Sequence, residues 1–313
     1  MHPYARLRPG PGFHAYRTFM YYAQRLTTFR LARAAVSRCI SAVLRLFHGR
    51  GAAPLDAQCL KAVKELRACG LAELAPLASS GAIAAMFGYF IDKPVVAPDG
   101  RRMSFSDLPA QIASASYDLK TIIECPGLME LVNSLVVLKI ASAYLGCCPT
   151  LSSLGVRWSL PNADGAALYQ SFHRDIDDWR FLKLFIYLTD VTETSGPHGY
   201  VQNTHRSTFG VRESRYEVDE VDARFGLDKL RTITGPAGTT FMADTLGVHR
   251  GGVPTGSARL ILQAQYSLLP VYAFEYAPVE TSTASIDTYS NRLMVRPARD
   301  RANRGAWPDS PGA

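Results

Sequence analysis

In the stretch SFHRDIDDW (171–179), His173 and Asp175 are separated by a single residue, just ahead of a strand-like run. On an extended chain, positions i and i+2 share a face. A neutral imidazole and a carboxylate on one face are two ligands for a divalent metal. A site needs a third, and the downstream candidates are His198, His205 and His249. His249 lies in GPAGTTFMADTLGVHRGG (235–252), where a Gly/Pro turn, a short strand and a glycine-flanked histidine suit a ligand at a barrel mouth. Two histidines and one carboxylate leave coordination positions open, the arrangement of non-haem Fe(II) oxygenases. Ten residues on, Arg259 stands near the start of the strand-like ARLILQAQY, and its planar fork suits a distal carboxylate.

Residues of this kind work only if a scaffold holds them. After Pro149 the segments LGVRWSL, FLKLFIYLTDV, HGYVQNT, GTTFMAD and ARLILQAQYSL are short, β-branched and aromatic, with turn residues between them. That pattern predicts an all-β sandwich or barrel. Residues 55–148 read mostly as helix: LDAQCLKAVKELRACG ends at Gly70 like a capped helix, and MELVNSLVVLKIASAYLG stops at Gly146. The organisation expected is a basic helical arm over 1–50, a helical segment over 51–148, a β core over 149–275 and an extension over 276–313, disordered from about 296.

The arm is compositionally distinct. Residues 1–50 hold nine arginines, no lysine and no acid; subtracting nine from the net charge of +7 leaves −2 for the remainder. A near-neutral body argues against a nucleic-acid-gripping surface. From Tyr21 to Phe47 no Gly or Pro occurs, and Tyr22, Leu26, Phe29, Val36, Ile40, Val43 and Phe47 form one helical stripe, interrupted by Arg33. Three readings follow: a helix packed on the body by this stripe, an amphipathic helix on an anionic membrane, or an Arg-rich transit segment. No run of about 18 apolar residues suggests a spanning helix. The six cysteines lack a paired CxxC arrangement and read as reduced thiols of a cytoplasmic protein.

With these segments in view, the chain resembles the phytanoyl-CoA dioxygenase family of Fe(II)/2-oxoglutarate-dependent oxygenases. The resemblance spans roughly 150–270 and rests on HRD (173–175), FLKLFIYLTDV (181–191), SGPHGYVQNTHR (195–206), the Gly-rich approach to His249, and Arg259. It implies a mainly β fold with flanking helices, a double-stranded β-helix (jelly roll, cupin-like) core preceded by an α-helical layer. It also implies Fe(II) on His173, Asp175 and His249, 2-oxoglutarate as cosubstrate anchored by Arg259, and O₂ as oxidant. Two departures stand out. Gln202-Asn203-Thr204-His205 replaces a Pro-Gly-Ser-His segment, and Ile261 stands where a Ser or Thr often follows the arginine. Lys183 is then a candidate for the missing cosubstrate contact. Asp175 favours hydroxylation over halogenation, since related halogenases replace this carboxylate by a small residue.

The remaining readings concern the pocket. Phe185 and Tyr187 alternate with Lys183 and either line the pocket or fill the barrel. Gln263 shares a face with Arg259, and one of Arg157 and Trp158 faces inward. His198 and His205 are expected at the surface or behind the ligands, and Asp177 and Asp178 in solvent. The implied partner is a small-molecule substrate, lipid-like if the arm meets a membrane. The competing class is a non-redox jelly-roll protein that binds a metabolite or acts as an epimerase.

Overall fold

The structure is a computed structural model that describes residues 2–3, 6–51, 54–161, 171–207, 215–281 and 286–297. In chain order the elements are β1 (His2–Pro3), α1 (Ala15–Leu26), α2 (Arg30–His48), α3 (Ala57–Cys69), β2 (Leu71–Leu74), α4 (Ser80–Ile91), β3 (Val95–Val96), β4 (Arg102–Met103), β5 (Ser114–Ser116), α5 (Leu119–Ile123), α6 (Leu128–Val132) and α7 (Leu135–Leu145). The second half contributes β6 (Thr150–Ser159), β7 (Phe181–Tyr187), β8 (His198–Val201), α8 (Val218–Phe225), β9 (Leu230–Ile233), β10 (Thr240–Ala243), β11 (His249–Gly251), β12 (Arg259–Ser267), β13 (Phe274–Glu275), β14 (Val279–Thr281), α9 (Thr288–Asn291) and β15 (Val295–Pro297).

The main sheet runs β2-β10-β7-β12-β6-β5-β3-β4, and a smaller one runs β11-β8-β9. The fold is mainly β with flanking helices, a jelly-roll core. Alternation along the central strands explains the two sides of the main sheet. Leu182, Leu184 and Ile186 of β7, with Leu260, Leu262 and Ala264 of β12, join the large core that includes Leu66, Phe90, Ile140 and Leu145 of the helices. Phe185, Tyr187 and Ile261 point the other way and pack with Tyr200, Phe241 and Ile233 inside the barrel.

Two expectations change. The segment before the core is not only helical: β2, β3, β4 and β5 extend the main sheet at both ends. These strands are two to four residues long, too short to show a period in the sequence. The stripe expected to run through 21–47 as one helix is divided by the extended Phe29 at the N-cap of α2. The pair then docks mainly by its polar side, with Ile40 and Leu44 packed in part on the core. Arg33, Ser37 and Ser41, spaced four apart, are buried on α2, and Gln24 is buried on α1. Ser41 Oγ donates to Leu145 O at 2.7 Å, and Gln24 Nε2 donates to Pro270 O at 3.0 Å. Arg33, which seemed to interrupt an apolar contact face, is the centre of the real one.

The apolar stretch Leu128–Leu145 is long and apolar enough to cross a membrane, but over half of it is buried in the protein. At the C-terminal end, β15 pairs in parallel with β14 through Pro297, close to where the expected disordered tail begins. The expected disorder of 298–313 lies outside the described residues.

Candidate metal centre

Backbone pairing brings the three ligand candidates together. His173 N donates to His249 O at 2.9 Å, His249 N donates back to His173 O at 3.0 Å, and Asp175 N donates to Thr245 O at 2.9 Å. The HRD segment thereby zips onto the turn before β11. The ligating atoms of His173, Asp175 and His249 all lie within 4.8 Å of one another. Each imidazole is oriented by a main-chain carbonyl: His249 Nδ1 lies 2.9 Å from Gly247 O, and His173 Nδ1 lies 3.3 Å from Ser171 O. A carbonyl only accepts, so each Nδ1 carries the proton and each Nε2 lone pair is left for a cation. Two such imidazoles with one carboxylate fit Fe(II).

The turn that presents His249 is held from several sides. Tyr200 Oη donates to Asp244 O at 2.9 Å, Tyr144 Oη to Asp244 Oδ2 at 2.5 Å, and Arg174 Nη1 to Leu246 O at 2.6 Å. Val248 N donates to Thr204 Oγ1 at 2.8 Å. Thr204 sits in the segment that departs from Pro-Gly-Ser-His, and its hydroxyl holds the strand of the distal ligand. Gly247 is required by close approach: a Cβ there would lie 2.0 Å from Tyr200 Oη.

Charge around Asp175 is balanced locally. Lys183 Nζ donates to Asp175 Oδ2 at 2.6 Å and lies 3.7 Å from Asp177 Oδ2. Burial opposes ionisation of Asp175, but Lys183 and then His249 outweigh it and hold the carboxyl well below the usual range. Burial also works against the Lys183 ammonium, yet Asp175 and Asp177 raise its pKa. Lys183, expected at the cosubstrate, has its ammonium on the carboxylate of the candidate ligand Asp175.

Arg259 is buried on β12. Its Nη1 donates to Gly196 O and its Nη2 to Ser159 Oγ at 3.1 Å. Its Nε has no protein partner. Burial lowers its pKa to about 10, against the favourable pull of Tyr187. Gly196, at φ +73°, adopts a left-handed turn where a Cβ would lie 2.5 Å from Gly252 O. Arg157 pairs across β12 with Ile261, on the interior side, whereas Trp158 faces the helices and donates to Tyr117 Oη at 3.0 Å. Arg157 lies close enough to depress the pKa of Arg259. The interior beside the ligands therefore carries a surplus of cations, suited to a dicarboxylate. Gln263 is half-buried opposite Phe185.

One expectation is resolved and two are corrected. Of the two places expected for His198, the structure takes the one behind the ligand candidates: it is buried. Its ring stacks on His249 with centroids 5.6 Å apart and packs on Phe185 at 4.7 Å. Asp178 is fully buried, not solvated. Its carboxylate accepts from Trp179 N at 2.8 Å, Leu269 N at 2.9 Å and Gln24 Nε2 at 3.1 Å, while burial pushes its pKa up to about 7. Asp177 is also largely enclosed. Arg174, between the two ligand candidates of the HRD segment, went unremarked in the sequence. Its parity, opposite to His173 and Asp175, was the available signal that it reaches the other way.

His173 is pushed down to about 4, by burial first and His249 second. A free imidazole titrates near ~6.5. The folded value is depressed, so neutral His173 contributes stability that is present above about pH 6.5 and lost as pH falls through about 4. Across that window the metal-free protein should lose about 3 kcal/mol more than His173→Gln does. Denaturant unfolding at both ends of the window measures this, and parallel pH profiles for the two proteins would contradict it.

No protein-family model matches the chain, and no curated protein does. Among solved structures, the chain is similar to EctD from S. alaskensis with bound Fe, at 15% identity and a TM-score of 0.51, covering 79% of this chain and 91% of that one. It is also similar to HygX from Streptomyces hygroscopicus with nickel and 2-oxoglutarate bound (16% identity, TM-score 0.49, 74% and 94% covered). A third is the non-heme alpha ketoglutarate dependent epimerase SnoN from nogalamycin biosynthesis (15% identity, TM-score 0.49, 67% and 83% covered). Pairing order, barrel interior and the likeness to EctD agree on a jelly-roll fold.

Proposed function

We propose that this chain is an Fe(II)/2-oxoglutarate-dependent dioxygenase, akin to the phytanoyl-CoA dioxygenase group, that hydroxylates an unactivated C–H bond of a small-molecule or lipid-like substrate. The observation that carries this reading is the donor set of His173, Asp175 and His249 within 4.8 Å, each imidazole oriented to leave Nε2 free. When bound, iron and 2-oxoglutarate supply O₂-dependent oxidation of the substrate with release of succinate and CO₂.

The chain's own residues do the rest. Arg259 holds the distal carboxylate of 2-oxoglutarate, with its position set by Gly196 and Ser159. Arg157 adds charge on the same side. Lys183 keeps Asp175 ionised and aimed. Phe185, stacked on Phe241 at 4.9 Å, and Tyr187 exclude water behind the ligands. Retention of the Asp175 carboxylate favours hydroxylation over halogenation.

Succinate release from Fe(II)-loaded protein across a panel of small molecules tests the reading. Arg259→Lys keeps the charge and loses the fork, so the KM for 2-oxoglutarate should rise about tenfold or more. Absence of succinate with every compound, in a folded protein that holds Fe(II), would put the non-redox jelly-roll reading ahead.

A further inference from the structure

The first helix pair docks mainly by its polar side, with Ile40 and Leu44 packed in part on the core, and leaves most of its other apolar side chains outward. On α1, Tyr16, Phe19, Tyr22 and Leu26 follow one another at steps of three and four and are exposed. Phe29 between the helices is 74% exposed, and on α2 Leu31, Leu46 and Phe47 are 84%, 83% and 77% exposed. Nine of the thirteen large exposed hydrophobic residues among the described residues lie on this pair or its hinge. Soluble surfaces rarely gather apolar side chains in this way without a use for them.

The charge around the patch selects what covers it. Arg6, Arg8, Arg30, Arg38, Arg45 and Arg50 are exposed, and no acid occurs in residues 1–50. A second copy of the same face would set arginines against arginines. At the foot of α2, Arg30, Arg33, Arg180 and Arg206 line a cavity of 110 Å³ whose wall also holds Asp244. The helix has no side-chain cap there and no acid in its first turn. Arg33 Nε and Trp179 Nε1, both on buried residues lining this cavity, have no protein partner. Exposed apolar side chains on a segment that carries exposed arginines and no acid match a bilayer surface rich in anionic lipid.

We propose that α1 and α2 form a docking surface for anionic membranes, with Phe19, Phe29, Leu31, Leu46 and Phe47 entering the interface. The inner face is tied to the ligand loop, since Gln24 and Arg33 bind Asp178, three residues beyond Asp175. The surface is thus built onto the catalytic body. The proposal does not rest on the catalytic reading.

Co-sedimentation of the full chain with vesicles of equal parts phosphatidylcholine and phosphatidylglycerol tests it. The wild type should bind these, and bind phosphatidylcholine vesicles about tenfold less or weaker. The variant Phe29→Ser/Leu31→Ser/Leu46→Ser/Phe47→Ser keeps every arginine and alters only exposed positions. It should lose about tenfold or more in partitioning with an unchanged thermal melt. Arg38→Glu/Arg45→Glu should lose the preference for anionic vesicles. Binding of the serine variant equal to wild type would overturn the proposal, because attraction to arginine alone would suffice. So would a wild type that ignores both vesicles, or one that forms a dimer which the serine variant dissolves.

Discussion

His249→Ala is expected to lose Fe(II) affinity by about a hundredfold or more and to abolish iron-dependent turnover, while the protein stays folded. The reason lies in what the side chain does and does not carry. The contact between the HRD segment and β11 is made by main-chain groups, His173 N to His249 O and His249 N to His173 O. An alanine keeps both bonds. The imidazole itself supplies one of three donors within 4.8 Å, and two remaining donors do not define a face for a divalent metal. Isothermal titration with Fe(II) under anaerobic conditions, together with a thermal melt, separates the two effects. Wild-type affinity in the variant would remove His249 from the ligand set.

Lys183→Met should have the largest effect on stability, about 3–5 kcal/mol in the metal-free protein. Its ammonium lies 2.6 Å from Asp175 and 3.7 Å from Asp177, with all three side chains largely enclosed. Methionine keeps most of the volume and removes the cation that bridges the two carboxylates. Asp177, whose pKa burial already raises, would protonate first. A bound divalent ion supplies positive charge at Asp175, so saturating Fe(II) should recover part of the loss. Unfolding with urea, with and without metal, reads both. A destabilisation below about 1 kcal/mol would mean that the carboxylates are compensated elsewhere.

These particulars show what the sequence made legible. His173 and Asp175 were visible because the i, i+2 rule of an extended chain needs no tertiary knowledge. The central strands were visible because each buries both faces or alternates over seven residues or more. The face chosen by the first helices was not visible. Composition along Tyr21–Phe47 displays a strong apolar stripe, and the usual inference buries it. The buried side is instead set by partners far along the chain, the Asp178 carboxylate and the carbonyls of Leu145 and Pro270. A polar contact of this kind has no periodic signature. His198 was left undecided between the surface and a place behind the ligand candidates for a related reason. It follows a Gly-Pro turn that suggests exposure, but β8 lies between β11 and β9, which encloses it. The short strands β2 to β5 exist only because the ends of the main sheet accept them.

The most direct test is anaerobic absorption spectroscopy of the apoprotein with Fe(II), before and after 2-oxoglutarate, which requires no substrate. The proposed function predicts a visible metal-to-ligand charge-transfer band that appears with 2-oxoglutarate, disappears in His249→Ala and weakens in Arg259→Lys. A folded protein that binds Fe(II) and gives no band would show that the cosubstrate does not chelate the metal, and would contradict the proposed chemistry.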